Sequence, residues 1–182
     1  LRNGWEEDAT AMVLKAGPQG FWHCQPDNGT FELWHRGRNF FPDSGSYVYA
    51  GDKEVTDQRN WFRRTQVHNT LTLEGRNLER TDSKCLRWET DGATDIVTVE
   101  NPSYEGLTHR RAMFFTAEGL LVIADQVSGT AAGKVGARQD DAARNAERER
   151  KGRSGQRDDV RDGADLQEVM VDDGGVDDED RH

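Results

Sequence analysis

Two cysteines, Cys24 and Cys85, are all that the 182 residues contain. That is too few for a disulfide framework, and two free thiols are expected. No apolar run approaches the roughly 18–20 residues of a bilayer-spanning helix, so no membrane partner is expected. No secretory leader is read at the start, which for a piece of a longer protein says nothing of location. Positive charge is also short: 24 Lys and Arg stand against 34 Asp and Glu, a net charge of −10. Bulk charge therefore draws neither nucleic acid nor any other polyanion, and an acidic polymer would need a local basic cluster. Aromatic residues are missing from one region altogether. All five Trp, seven Phe and three Tyr lie within 1–130, and 131–182 has none.

That last absence divides the chain. Residues 131–182 are mostly Asp, Glu, Arg, Gly and Ala, and cannot bury enough apolar surface to offset the entropy of ordering them. Gly133 and Gly136 interrupt any helix begun at Ala131, and Ala142–Lys151 offers at most a short charged helix without an apolar stripe. The expectation is one domain over 1–130 and a disordered tail over 131–182. A sharper expectation is a shift of reading frame near residue 130, because the strand pattern stops within a few residues. Sequencing the coding DNA tests it.

The first 130 residues read as short strands between turns. Asp8–Lys15 is strand-like and Gly17-Pro18-Gln19-Gly20 breaks it. Phe21–Gln25 reads as a strand stopped by Pro26-Asp27-Asn28-Gly29, where Asn and Gly accept positive φ. Thr30–His35 alternates. Val67–Leu73 is the cleanest strand, with Val67, Asn69, Leu71 and Leu73 on one face and His68, Thr70 and Thr72 on the other. Asp95–Val99, Arg111–Phe115 and Leu120–Asp125 follow. With no amphipathic helix in view, the pattern predicts an all-β fold, an antiparallel β-sandwich.

Chemistry-bearing residues concentrate near one strand end. If 21–25 is a strand, His23 and Gln25 share a face and Cys24 points away. Asp43 sits in the loop Phe40–Tyr47, where Pro and Gly fix an irregular backbone, and His68 lies on a polar strand face. Gln25, Asp43 and His68 offer an amide oxygen, a carboxylate and an imidazole to a divalent ion. By spacing alone they read rather as hydrogen-bonded His and Asp at a sheet rim. Arg36, Arg38, Arg59, Arg63 and Arg64, interleaved with Trp34, Phe40, Phe41, Trp61 and Phe62, form either a basic cluster for an acidic polymer or scattered charges on solvated strand faces. His35 is expected to hydrogen-bond within the sheet, and His109 to lie at a solvated strand edge or touch an anionic group. Asn28-Gly29-Thr30 spells a glycosylation sequon but reads as a turn.

Longer strings are more specific. Trp22-His23-Cys24-Gln25-Pro26-Asp27-Asn28-Gly29-Thr30-Phe31 and Leu33–Tyr47 resemble the signature block of heparinase III-type polysaccharide lyases. Trp61–Thr70, Glu100–Tyr104 and His109–Arg111 resemble later blocks in the same order. The likeness covers about residues 1–130. It implies the C-terminal β-sandwich of a two-part enzyme whose N-terminal α/α toroid precedes this stretch. The implied reaction is β-elimination on a uronate-containing glycosaminoglycan such as heparan sulfate, in which a base takes the C5 proton and an acid protonates the departing O4. In such lyases the toroid supplies an Asn that neutralises the carboxylate and a Tyr that acts as acid and base.

By the same resemblance His23 is the sandwich's catalytic histidine. An unperturbed imidazole titrates at about pH 6.5, which suits proton transfer near neutrality. Gln25, Asp43 and His68 match positions holding one structural divalent ion, Zn2+ or Ca2+, with Gln25 a departure from the imidazole of related heparinases. Asn28, Arg36 and Arg38 are assigned to the acidic polysaccharide. Without the toroid, the stretch alone is expected to be inactive. A periplasmic or secreted location follows from the family's polymeric substrates. Two other readings stay open: a non-catalytic carbohydrate-binding or structural sandwich module, and a cupin-like metal enzyme working alone.

Overall fold

A computed structural model describes residues 1–20 and 23–137. Residues 138–182, most of the tail to which the frame-shift expectation applies, lie outside the described residues. Nine strands and one α-helix are described, in the order β1 (Ala11–Leu14), β2 (Phe31–His35), β3 (Arg38–Phe41), α1 (Lys53–Phe62), β4 (Leu71–Leu73), β5 (Lys84–Thr90), β6 (Thr94–Tyr104), β7 (Leu107–Thr116), β8 (Leu121–Gly129) and β9 (Val135–Ala137). Strands β5-β6-β7-β8 form one antiparallel sheet. Strands β1-β2-β3 and the pair β4-β9 form two further sheets, also antiparallel. Among the described residues no helix is long and apolar enough to cross a membrane.

Alternation sets the inner face of the large sheet. Along β7, Leu107, His109, Arg111, Met113 and Phe115 are buried while the residues between them are not, the period-two pattern of a strand with one covered face. Val97, Val99 and Met113 pack with Met12 and Phe31 of the three-stranded sheet. A second cluster joins Leu71, Leu73, Leu78 and Val135 to Tyr104 and Leu107. The sandwich is thus one large sheet covered by two small ones.

Three expectations change. Residues 23–30 contain no strand, since Pro26 and Gly29 break the backbone first. Val67–Leu73 is a strand only over Leu71–Leu73; Thr65–Val67 is a 3-10 turn. The edge set at 130 falls short, because Val135–Ala137 pairs with β4 and Val135 is buried in its core.

Helix α1 also went unread, for it has no buried residue and so no apolar stripe. Local signals hold it: the Asp52 carboxylate caps the Val55 amide at 3.0 Å and Lys53 pairs with Asp57 at 2.7 Å.

Candidate functional site

Three segments distant in sequence meet above the edge of the small sheet. The turn 26–29 leads into β2, the loop 42–45 leaves β3, and His68 ends the 3-10 turn. Asp43 is the hub. Its Oδ2 lies 2.8 Å from His68 Nδ1 and accepts from Thr30 Oγ1 at 3.3 Å, while Oδ1 accepts from the Gly45 amide at 2.8 Å. The Thr30 hydroxyl is directed there because its own oxygen accepts from the Asn69 amide at 3.1 Å. Burial pushes the Asp43 carboxyl up, but the bonds from His68, Gly45 and Thr30 outweigh it and hold the group below its ordinary range.

Asp27 joins this pair. Ligand atoms of Asp27, Asp43 and His68 all lie within 4.8 Å of one another. Asp27 is 4% exposed and is bonded by the Lys15 ammonium. Burial pushes its carboxyl above the ordinary value, and Lys15 offsets that only in part. Of eight buried side-chain atoms without a hydrogen-bond partner among the described residues, two belong to residues assigned to the ion, His68 Nε2 and Gln25 Oε1. Buried polar atoms are rarely left so, and each such atom calls for an explanation, an unseen ion among them.

Of the three residues assigned to an ion, Asp43 and His68 therefore meet. Gln25 hydrogen-bonds to neither, its oxygen buried and unpartnered. Asp27 was missed because it reads as a turn residue. The available signal was its i+2 spacing from Gln25.

His23 is exposed, its ring stacked on Tyr49 with centroids 5.5 Å apart and planes at 24°. Because no strand runs here, His23 and Gln25 are not aligned by pleating as expected; tethers fix the loop instead. Arg63 Nη2 donates to the Cys24 carbonyl at 2.6 Å and Thr65 Oγ1 to the Pro26 carbonyl at 2.5 Å. Next to it Tyr47, at φ 66°, stacks on Phe62 with ring centroids 5.1 Å apart, and Trp61 meets Phe62 edge-on. Trp61 is 47% exposed and not a core residue. Trp22 lies outside the described residues. Cys24 and Cys85 are both free thiols.

The residues assigned to the polysaccharide do not gather. Asn28 is buried, and its amide donates to the carbonyls of Gly17 and Thr81 at 3.1 and 3.2 Å. It ties loops together and does not face solvent, which corrects its assignment. Arg36 and Arg38 are exposed at the β2–β3 turn, Arg36 at φ 50°. The five residues of β2 separate that turn from Thr30 beside Asp43, roughly 20 Å of extended chain from Thr30 to Arg36. Arg63, which donates to the Cys24 carbonyl in the loop before β2, is thus separated from Arg36 and Arg38 by that strand.

A second polar centre lies inside the sandwich. Arg111, 0% exposed, donates from Nε and Nη2 to Asp125 at 2.7 and 2.9 Å. Its Nη1 donates to the carbonyls of Gly29 and Asn69 at 2.6 and 2.7 Å. His109 Nε2 lies 2.8 Å from the same Asp125 carboxylate. His109 is fully buried, so it lies at no solvated edge and cannot meet an external anion as expected. His35 does bond within the small-sheet layer, to Thr10 Oγ1 at 2.7 Å.

Gly29 adjoins this centre at φ 86°. A Cβ there would come within 2.6 Å of Asn101 Nδ2 and 3.1 Å of Thr70 Oγ1, so only glycine fits.

Comparison with known proteins places these features. The family model "Heparinase II/III-like, C-terminal" matches residues 1–161. The chain is 57% identical over 135 residues to a heparin-sulfate lyase of Bacteroides stercoris, covering 74% of this chain and 20% of that protein. A solved heparinase III structure superposes with a TM-score of 0.71 at 58% identity, over 75% of this chain and 21% of that one. The crystal structure of heparan sulfate lyase HepC from Pedobacter heparinus gives a TM-score of 0.71 at 46% identity, with the same coverage. The chain spans about a fifth of the length of the curated relatives it matches.

Proposed function

This chain belongs to the heparinase II/III-like, C-terminal family, and we propose that it is the sandwich part of a lyase that cleaves heparan sulfate-type glycosaminoglycan by β-elimination. The observation that carries this reading is the placing of His23: an exposed imidazole on a tethered loop, four positions before Asp27 of the Asp27–Asp43–His68 group. An acidic polymer can reach such an imidazole from solvent. The C5 proton leaves to a base, the C4–O4 bond breaks as C4=C5 forms, and O4 takes a proton. His23 would hold or move a proton beside that uronate. Neutralising the sugar carboxylate and completing the acid–base pair fall to an α/α toroid elsewhere in the protein.

Gln25, Asp27, Asp43 and His68 would hold one divalent ion, Zn2+ or Ca2+. The donor set fits: a buried carboxylate, a half-buried carboxylate and a buried imidazole lie together, and the sequence adds the amide oxygen of Gln25; His68 Nε2 and Gln25 Oε1 have no partner among the described residues. Such an ion neutralises buried charge and pins the loops carrying Asp43 and Gln25, so that the face bearing His23 keeps its shape. A polymeric substrate argues for a periplasmic or secreted location.

The test is a chimera. Residues 1–137 replace the matching segment of the Bacteroides stercoris lyase, and release of unsaturated uronate from heparan sulfate is followed by absorbance. Turnover within about tenfold of the parent is expected, with loss of about a thousandfold or more on His23→Ala. A folded chimera that stays fully active as His23→Ala refutes the assignment. The 182-residue chain alone is expected to release no product.

A further inference from the structure

We propose that Asp27 is an ion ligand in its own right and that Lys15 is a tethered cation holding its place, which a divalent ion must displace. This rests on the ion-site reading above and adds to it a residue and an order of events. A carboxylate that is 4% exposed requires a counter-charge. Two carboxylates whose oxygens lie within 4.8 Å of each other and of an imidazole nitrogen need it more, since like charges repel across a desolvated gap. The ammonium of Lys15 is the cation in contact with Asp27.

That ammonium is a partial answer. It bonds Asp27 alone, and the imidazole grouped with the two carboxylates keeps an unpartnered Nε2. A divalent ion has the charge for both carboxylates and open coordination positions for neutral donors.

The anchoring of Lys15 suits exchange. Its backbone is fixed on both sides, its amide donating to the Thr30 carbonyl at 2.9 Å and its carbonyl accepting from the Gly29 amide at 2.8 Å. Its side chain, however, is 39% exposed. The stem is therefore held beside the site while the head has a path to water, as long cationic side chains on a surface usually do. With the ion absent, Lys15 keeps Asp27 satisfied and the turn folded. When the ion enters, the ammonium swings into solvent.

Titration calorimetry of the 182-residue chain, with Zn2+ alone and then Ca2+ alone at fixed ionic strength, tests this. Thermal melts with and without the ion run alongside. Asp27→Asn should weaken binding about tenfold or more, a loss that even an outer-shell partner can cause. Lys15→Met should tighten binding about fivefold, the worth of a half-exposed ion pair. Lys15→Met should also lower the melting temperature without the ion and recover it at saturating ion.

If the wild-type chain binds neither ion and neither moves its melt, both the ion site and the displacement fall. If Asp43→Asn abolishes binding while Asp27→Asn keeps wild-type affinity, the ion site stands and Asp27 is not a ligand. Unchanged or weaker binding by Lys15→Met overturns the displacement. Lys15→Met alters only a partly exposed side chain, so it remains informative should Asp27→Asn fail to fold.

Discussion

A guanidinium with no counter-charge at the centre of a sandwich would be among the costliest defects a core can carry, and Arg111 escapes it through Asp125 and two carbonyls. Burial pushes the Asp125 carboxyl up, but hydrogen bonds and charge from His109 and Arg111 prevail and hold it far below its usual range. Asp125→Ala should cost about 3–5 kcal/mol in a urea melt, because the guanidinium is left buried and unpaired.

The pH profile follows from the signs. A depressed carboxyl stabilises the fold at pH above its unfolded value, about 3.9, and that contribution is lost as pH falls toward the folded value. His109 acts in the same direction. Burial lowers its pKa, Asp125 only partly countering, so protonation favours the unfolded chain as pH drops below about 6.5. Stability should therefore decline in two stages on acidification, the lower stage smaller in Asp125→Ala, where Asp43 still contributes to it. A profile flat from pH 7 to 3 contradicts this.

Side chains differ in how far the sequence exposed them. Asp43 and His68 were legible through family strings, and their contact at 2.8 Å agrees with the grouping. Asp27 hid inside a turn signal, and His109 inside a basic triplet that reads as surface. Cross-strand burial, which alternation alone cannot assign to a charged residue, put it in the core.

Strands with clear alternation were legible. β6 and β7 were found as shorter cores of their true lengths, and β2 whole with one residue too many. β5 was not, since all seven of its residues are exposed and no covered face marks it. The closing strand β9 was missed for another reason. In Val135-Gly136-Ala137 only Val favours a strand, Gly and Ala do not, and its place against β4 orders it. Tertiary pairing, invisible to a local pattern, supplied the signal.

Its contribution is measurable. A chain ending after Thr130 should be less stable than one ending after Ala137 by about 2–3 kcal/mol in denaturant melts, as it forfeits Val135 and uncovers Leu71 and Leu73. Equal stabilities would mean that the second core cluster closes without β9.

Across the molecule, covered and bare surfaces are unequal. The outer face of the large sheet carries Ile96, Phe114 and Val122 side by side in register. Phe114 is 36% and Val122 48% exposed. A contiguous exposed apolar row marks a contact surface for protein. Sedimentation velocity should show concentration-dependent self-association that Phe114→Thr with Val122→Thr reduces, at a stability change within about 0.5 kcal/mol. A wild-type chain that stays monomeric at all concentrations removes that expectation.

The bond from Arg111 to the Gly29 carbonyl joins residues 82 positions apart. The turn from Pro26 to Gly29 is therefore not a portable motif. A peptide copied from it, or a graft into another scaffold, would leave its clamp behind in a distant strand. Anyone transplanting it would have to carry that guanidinium and its carboxylate along.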